Sequence, residues 1–214
     1  MTTLEAYSRR PDDIVLGRHA YVAPSMEDRQ PTTFFPAGAE IYAQGEKCGN
    51  LYQVEFGAVR IYRLLSDGRR QISAFHLAGE IFGFEADESD HFFAEAICGT
   101  GIRIMRASAP RMAPELLPVA LQSLVRAQEH LLVLGRQNAI ERIAAFFLEM
   151  LERQGGLRQI ELSMSRLDIA DYLGLTIETV SRVFSRLRQK GVIRLPSLRS
   201  VEIVKLQALQ DLAA

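Results

Sequence analysis

Glu178, Ser181 and Arg182 are spaced i, i+3 and i+4, so a helix through Thr176-Ile177-Glu178-Thr179-Val180-Ser181-Arg182 carries all three on one face. Each side chain can address a base edge: a carboxylate accepts from cytosine N4, a guanidinium donates to guanine, and a hydroxyl does either. Thr176 is a suitable N-cap, and the N-terminal half of such a helix is the part that enters a major groove. The same spacing also suits a plain surface ion pair between Glu178 and Arg182, worth about 0.2–0.5 kcal/mol. The residues around the triplet decide between the two.

Arg166 to Leu187 has the pattern of a helix-turn-helix. Ile169, Leu173, Leu175, Val180 and Val183 are apolar at the spacings that pack two crossing helices around a small core. Ala170 falls where the helices meet, and a larger side chain would push them apart. Gly174 falls at the turn, where positive φ ends the first helix. Ser165 and Asp168 form a capping-box-like S-x-x-D. Beyond Lys190, Gly191 stops the second helix, and Val192–Leu195 and Ser200–Val204 read as two strands of a wing around Pro196-Ser197-Leu198-Arg199. Glu178, Ser181 and Arg182 are therefore the expected base readers. Ser165, Arg166, Thr176, Thr179, Arg186, Arg194 and Arg199 are the expected phosphate contacts. For Arg194 and Arg199, ordinary surface charge is the competing reading.

Upstream, Thr33 to Met105 consists of short apolar stretches punctuated by glycines. Val59 to Leu64 alternates with period two, Ser66-Asp67-Gly68-Arg69 is a hairpin turn, and Gln71 to Leu77 resumes the strand pattern. Many short strands with regular turns predict an antiparallel roll or jelly roll. After Pro114 the period changes: Leu117, Leu121, Leu124, Gln128 and Leu131 follow steps of four and three, a heptad-like seam. That stripe predicts a dimer interface, the alternative being a helix packed on its own roll. Asn138 to Arg153 is a second amphipathic helix expected behind the helix-turn-helix. The expected fold is α+β, with four divisions. Residues 1–30 are an N-terminal extension, 31–108 an antiparallel β-roll, 109–136 a dimerisation helix, and 137–214 a winged helix-turn-helix.

The 214 residues have a net charge of −1, so bulk electrostatics do not announce a nucleic-acid binder. From Gln137 onward there are 11 Lys/Arg and 9 Asp/Glu, net +2, which leaves net −3 for the first part. The cations do cluster in and just after the predicted reading helix, at Arg182, Arg186, Arg188, Lys190, Arg194 and Arg199. No apolar run approaches ~18 residues, so no membrane span is expected. Met1 to Arg10 lacks the apolar stretch of a signal peptide, and a cytoplasmic location is expected. Cys48 and Cys98 are the only cysteines, too few for a disulfide scaffold. Both read equally as redox-active thiols or as inert small apolar residues.

A glycine-rich roll, a long helix and a C-terminal winged helix-turn-helix, in that order, resemble the CRP/FNR family of bacterial transcription regulators. Glu178-x-x-Ser181-Arg182 is similar to the recognition signature of its FNR-type members. The stretches Leu64 to Gln71 and Asp168 to Thr176 resemble FixK-like members. The resemblance implies a non-enzymatic homodimer that reads an FNR-type palindrome, TTGAT-N4-ATCAA or a near relative. It also implies activation through RNA polymerase contact and control of microaerobic or nitrogen-oxide respiration genes.

Two departures bear on the signal. FNR itself holds an iron–sulfur cluster on four cysteines, and two cysteines per chain cannot supply that ligand set. The family's nucleotide pocket needs a Gly-Glu pair and an Arg-containing clamp for the cyclic phosphate. Gly79-Glu80 is present but reads as a structural turn, and Asp90-His91-Phe92-Phe93-Ala94 has no arginine, so cyclic AMP is not expected to bind. No cofactor or metal is expected. One alternative is a ligand-gated regulator with haem or a small molecule in the roll, using His19, His76, His91 or His130. Another is a cupin-like enzyme, which would want a His-x-His that this sequence lacks.

Overall fold

The structure, a computed structural model, describes residues 31–86, 88–106 and 113–214. The expected extension over 1–30, the junction at 108/109 and His19 lie outside these residues. The fold is α+β, as the sequence pattern predicts.

Eight strands come first: β1 (Thr32–Phe35), β2 (Glu40–Tyr42), β3 (Asn50–Phe56), β4 (Ala58–Leu64), β5 (Arg70–Leu77), β6 (Ile81–Phe82), β7 (Phe93–Ala96) and β8 (Thr100–Arg106). They form two antiparallel sheets, ordered β1-β8-β3-β6 and β2-β7-β4-β5. The inner faces meet in a core of Tyr42, Tyr52, Val54, Val59, Ile61, Phe82, Ala94 and Ile102. The β4–β5 hairpin turns at the predicted Ser66–Arg69 segment. Its register jumps from Ile61 opposite Ala74 to Tyr62 opposite Ile72, which leaves Ser73 as an extra residue. Such a bulge inverts the alternation. Ala74 thus packs against the roll's own core, while Ile72 and Phe75 join a different one.

That second core belongs to the C-terminal half. Long helix α1 (Ala113–Leu134) is followed by α2 (Ala139–Arg153), β9 (Gln159–Glu161), α3 (Arg166–Leu173), α4 (Ile177–Gln189), β10 (Ile193–Arg194), β11 (Ser200–Ile203) and α5 (Leu206–Ala213). Asn138 accepts from the Ile140 N–H to start α2, which buries Ile143, Ala144, Phe146, Phe147, Met150 and Leu151. The wing is three-stranded rather than two-stranded, ordered β10-β11-β9. Neither β9 nor α5 was expected from the sequence. Each is too short to show a period.

On α1 the predicted stripe is uncovered. Leu117, Leu121, Leu124, Val125 and Leu131 are each at least half exposed, and Gln128 is exposed as well. The opposite face, including Arg126, His130 and Val133, turns toward α2. No helix among the described residues is long and apolar enough to cross a membrane.

Candidate nucleic-acid interface

The Ser165 side chain accepts from the Asp168 N–H at 3.1 Å while Asp168 Oδ2 accepts from the Ser165 N–H at 2.9 Å, so α3 begins with a complete capping box. Gly174 ends the helix at φ +62°, and its N–H returns to the Ala170 carbonyl. Only glycine takes up that left-handed turn without cost. Thr176 Oγ1 then accepts from the Thr179 N–H at 3.2 Å and starts α4. Helix α4 buries Val180, Val183, Phe184 and Leu187, and Phe184 meets Phe147 of α2 edge-on at 4.8 Å.

Burying that stripe leaves Glu178, Ser181 and Arg182 exposed together on the outer face of α4. Glu178 and Arg182 form no salt bridge among the described residues. Arg182 Nε instead leans on the Glu178 carbonyl oxygen at 3.4 Å. The surface ion pair that could have accounted for the spacing is absent, and both heads remain available. The carboxyl of Glu178 is held below its ordinary range by its own backbone N–H, the Thr176 hydroxyl and Arg182. It therefore presents an acceptor at neutral pH.

The phosphate candidates divide by what they already hold. Arg186 and Arg199 are exposed, with no ion-pair partner among the described residues. Thr176 and Thr179 sit at the start of α4 with their hydroxyls 3.1 Å apart. Ser165 donates its hydroxyl to Asp168 Oδ2 at 2.7 Å, so the cap already uses it. Arg194 is paired with Glu202, directly opposite it on the wing, at 2.9 Å. Arg166 departs most from expectation. Its guanidinium lies 3.4 Å from the centre of the Phe184 ring, and burial pushes its pKa down to about 10, still cationic at neutral pH.

In the roll, Gly79 and Glu80 form a turn: the Gly79 N–H bonds to the Val54 carbonyl and the Glu80 N–H to that of Leu77. The Glu80 carboxylate accepts from Arg126 of α1 at 2.9 Å and from Arg153 of α2 at 2.8 Å. Asp90 is buried beside Glu85 and Glu46. Burial, then these two carboxylates, raise its pKa to about 6. His76 is half-buried and stacks on Phe82 at 5.1 Å, His130 stacks on Tyr172 at 3.8 Å, and His91 pairs with Glu85 at 2.7 Å. Burial lowers the pKa of both His76 and His130 to about 4. Cys48 and Cys98 are each half-buried.

Residues 32–110 match the cyclic nucleotide-binding domain model, and residues 141–212 match the Crp-like helix-turn-helix domain model. The nitrogen fixation regulation protein FixK of Rhizobium meliloti (strain 1021) is 53% identical over 208 residues, 97% of this chain and 98% of that protein. FixK of Azorhizobium caulinodans is 43% identical over 191 residues, covering 83% of this chain and 77% of that protein. Among solved structures, FixK2 from Bradyrhizobium japonicum superposes with a TM-score of 0.80 at 42% identity, covering 86% of this chain and 98% of that one.

Proposed function

Because the chain belongs to the CRP/FNR family of transcription regulators and is of the FixK type, we propose that it reads FNR-type palindromes as a cytoplasmic homodimer and acts mainly as an activator. The observation that carries the reading is the outer face of α4, where a carboxylate, a hydroxyl and a guanidinium stand exposed on a capped helix with no salt bridge among them. In this reading Glu178, Ser181 and Arg182 contact base edges. Thr176, Thr179, Arg186 and Arg199 contact phosphates, and Ser165, Arg166 and Arg194 do so by exchanging a partner they already hold. The uncovered leucine stripe of α1 supports dimerisation through Leu117, Leu121, Leu124, Gln128 and Leu131. One protomer would then serve each half-site.

The roll supports a regulator that works without cyclic AMP. A cyclic phosphate would meet the carboxylates of Glu46, Glu85 and Asp90 with no guanidinium in the Asp90–Ala94 stretch. Cys48 and Cys98 do not make an iron–sulfur ligand set. The FixK likeness supports control of microaerobic or nitrogen-oxide respiration genes through contact with RNA polymerase, with the oxygen signal sensed elsewhere and activity set by protein abundance.

The test is a gel shift and footprint on a TTGAT-N4-ATCAA duplex. Arg182→Ala should lower affinity by about 30-fold or more, since each lost base contact costs about 1–3 kcal/mol and a dimer loses two. An unchanged footprint would overturn the assignment. Glu178→Gln should change which base is preferred rather than affinity alone.

A further inference from the structure

The two stretches that resemble FixK-like members, Leu64 to Gln71 and Asp168 to Thr176, lie about 100 residues apart in the chain but meet in the fold. Arg70 of β5 donates through Nε and Nη2 to Asp171 Oδ2, at 2.9 and 2.8 Å, and through Nη2 to Asp168 Oδ1 at 2.7 Å. Arg60 of β4 donates to the same Asp168 oxygen at 3.0 Å and is itself held by Glu95 of β7. Gln71 donates to the Asp171 carbonyl at 2.7 Å. Asp168 is buried, its other oxygen committed to the capping box.

We propose that Arg60 and Arg70 are positioning residues for DNA reading: they grip α3 and set the angle at which each reading head meets its half-site. The proposal rests on the dimeric, palindrome-reading function argued above. Between β5 and α3 the other contacts are apolar, with Phe75 against Tyr172 at 4.9 Å and Ile72 beside it in the same core, while Arg153 ties α2, not α3, to Glu80 and the Phe75 carbonyl. Apolar contact is non-directional and tolerates rotation. Charge-assisted hydrogen bonds on two side chains one helical turn apart, plus one on the backbone, do not. Helices α3 and α4 share one core, so the tilt of α3 is the tilt of the reading face. The grip falls on Asp168 and Asp171, leaving Glu178, Ser181 and Arg182 uncovered, so it holds the reader open rather than masking it.

Orientation and simple stability separate in their response to half-site spacing. One base pair of spacer rotates the half-sites by roughly 35° and shifts them by about 3.4 Å, so a fixed pair of heads discriminates spacers steeply. The full-length protein is titrated on palindromes with N3, N4 and N5 spacers and on a single half-site duplex, with thermal melts in parallel. The wild type should favour one spacer by at least about tenfold, a difference of about 1.4 kcal/mol. Arg60→Gln/Arg70→Gln should reduce that preference to within about threefold while changing half-site affinity less than about twofold. Arg70→Lys, which keeps the charge but not the fork, should fall between. The exchanged pair Arg70→Asp/Asp171→Arg should recover the preference lost in Arg70→Asp. A uniform loss on every duplex with the spacer preference intact, or no change at all, overturns the proposal. A wild type that binds no palindrome as a dimer overturns the functional reading and takes this inference with it.

Discussion

Arg153→Met tests whether the ion-pair network at the centre of the molecule joins roll and helices energetically. Arg153 ends α2 with its side chain almost fully buried. It donates to Glu80 through Nε at 3.1 Å and Nη2 at 2.8 Å, to Glu149 at 2.7 Å and to the Phe75 carbonyl at 2.5 Å. Methionine retains the apolar stem and removes every one of these donors. Removing one partner of a buried pair costs about 3–5 kcal/mol, because the other charge is left uncompensated. Arg126 still holds Glu80 at 2.9 Å, which places the expected loss near the lower end, about 3 kcal/mol. For a chain of this size that lowers the melting temperature by roughly 6–12 °C.

The pH dependence gives a second, independent reading. Burial would raise the Glu80 carboxyl, but Arg153, His76 and Arg126 outweigh it and hold its pKa below the ordinary value. A depressed carboxyl contributes stability above its ordinary pKa near 4.5 and loses it as pH falls through the folded value. Without Arg153 that depression is largely gone, so the variant's deficit should be full at pH 7.5 and shrink only as pH falls below about 4.5, to pH 3.5. Adding Glu80→Gln to Arg153→Met should recover part of the loss. Thermal melts at both pH values decide the matter. A loss under about 1 kcal/mol, a deficit independent of pH, or strict additivity of the two substitutions would refute the reasoning.

Three further outcomes are expected. Gly174→Ala should cost about 1–2 kcal/mol, because alanine is strained at φ +62° while its Cβ would meet only ordinary contacts, Arg142 at 3.5 Å and Leu134 at 3.7 Å. Gly174→Asn should cost less, and thermal melts compare the two. Leu121→Glu/Leu124→Glu should give a monomer by analytical ultracentrifugation, with palindrome affinity lost and half-site affinity kept. Asp90→Asn should stabilise at pH 7.5 by no more than about 3 kcal/mol and have no effect near pH 4. The Asp90 pKa is raised, so its contribution is full below the ordinary value of 3.8 and is lost as pH rises through about 6.

What could be read in advance was local. The capping box at Ser165, the turn at Gly174 and the exposed triplet on α4 depend on neighbours within a few positions, where helix geometry alone fixes who meets whom. The Arg194–Glu202 pair was less legible, since the predicted four-residue turn sets Arg194 opposite Val201, one position out of the observed register. Arg166 on Phe184 was not legible, because the contact depends on how two helices cross. The division into a roll and a separate reader hid the most. Asp168 read as a cap residue, but half of its hydrogen bonding goes to arginines that the chain places about 100 positions earlier.

That division is physically weaker than it looks in the chain. Strand β5 contributes to both cores: Ala74 faces the roll, and across the Ser73 bulge Ile72 and Phe75 sink into the core of α2, α3 and α4. Burying two such side chains contributes about 3–6 kcal/mol, so a detached reading head would be populated below about 1% before any ion pair is counted. A sensor that swings its reader on a ligand needs two orientations of comparable free energy. Here an orientation that detaches the reader must expose Ile72 and Phe75 and strand Asp168 without its cations. The proposed control through the amount of protein made fits such a molecule, since detaching the reader would forfeit part of a shared core.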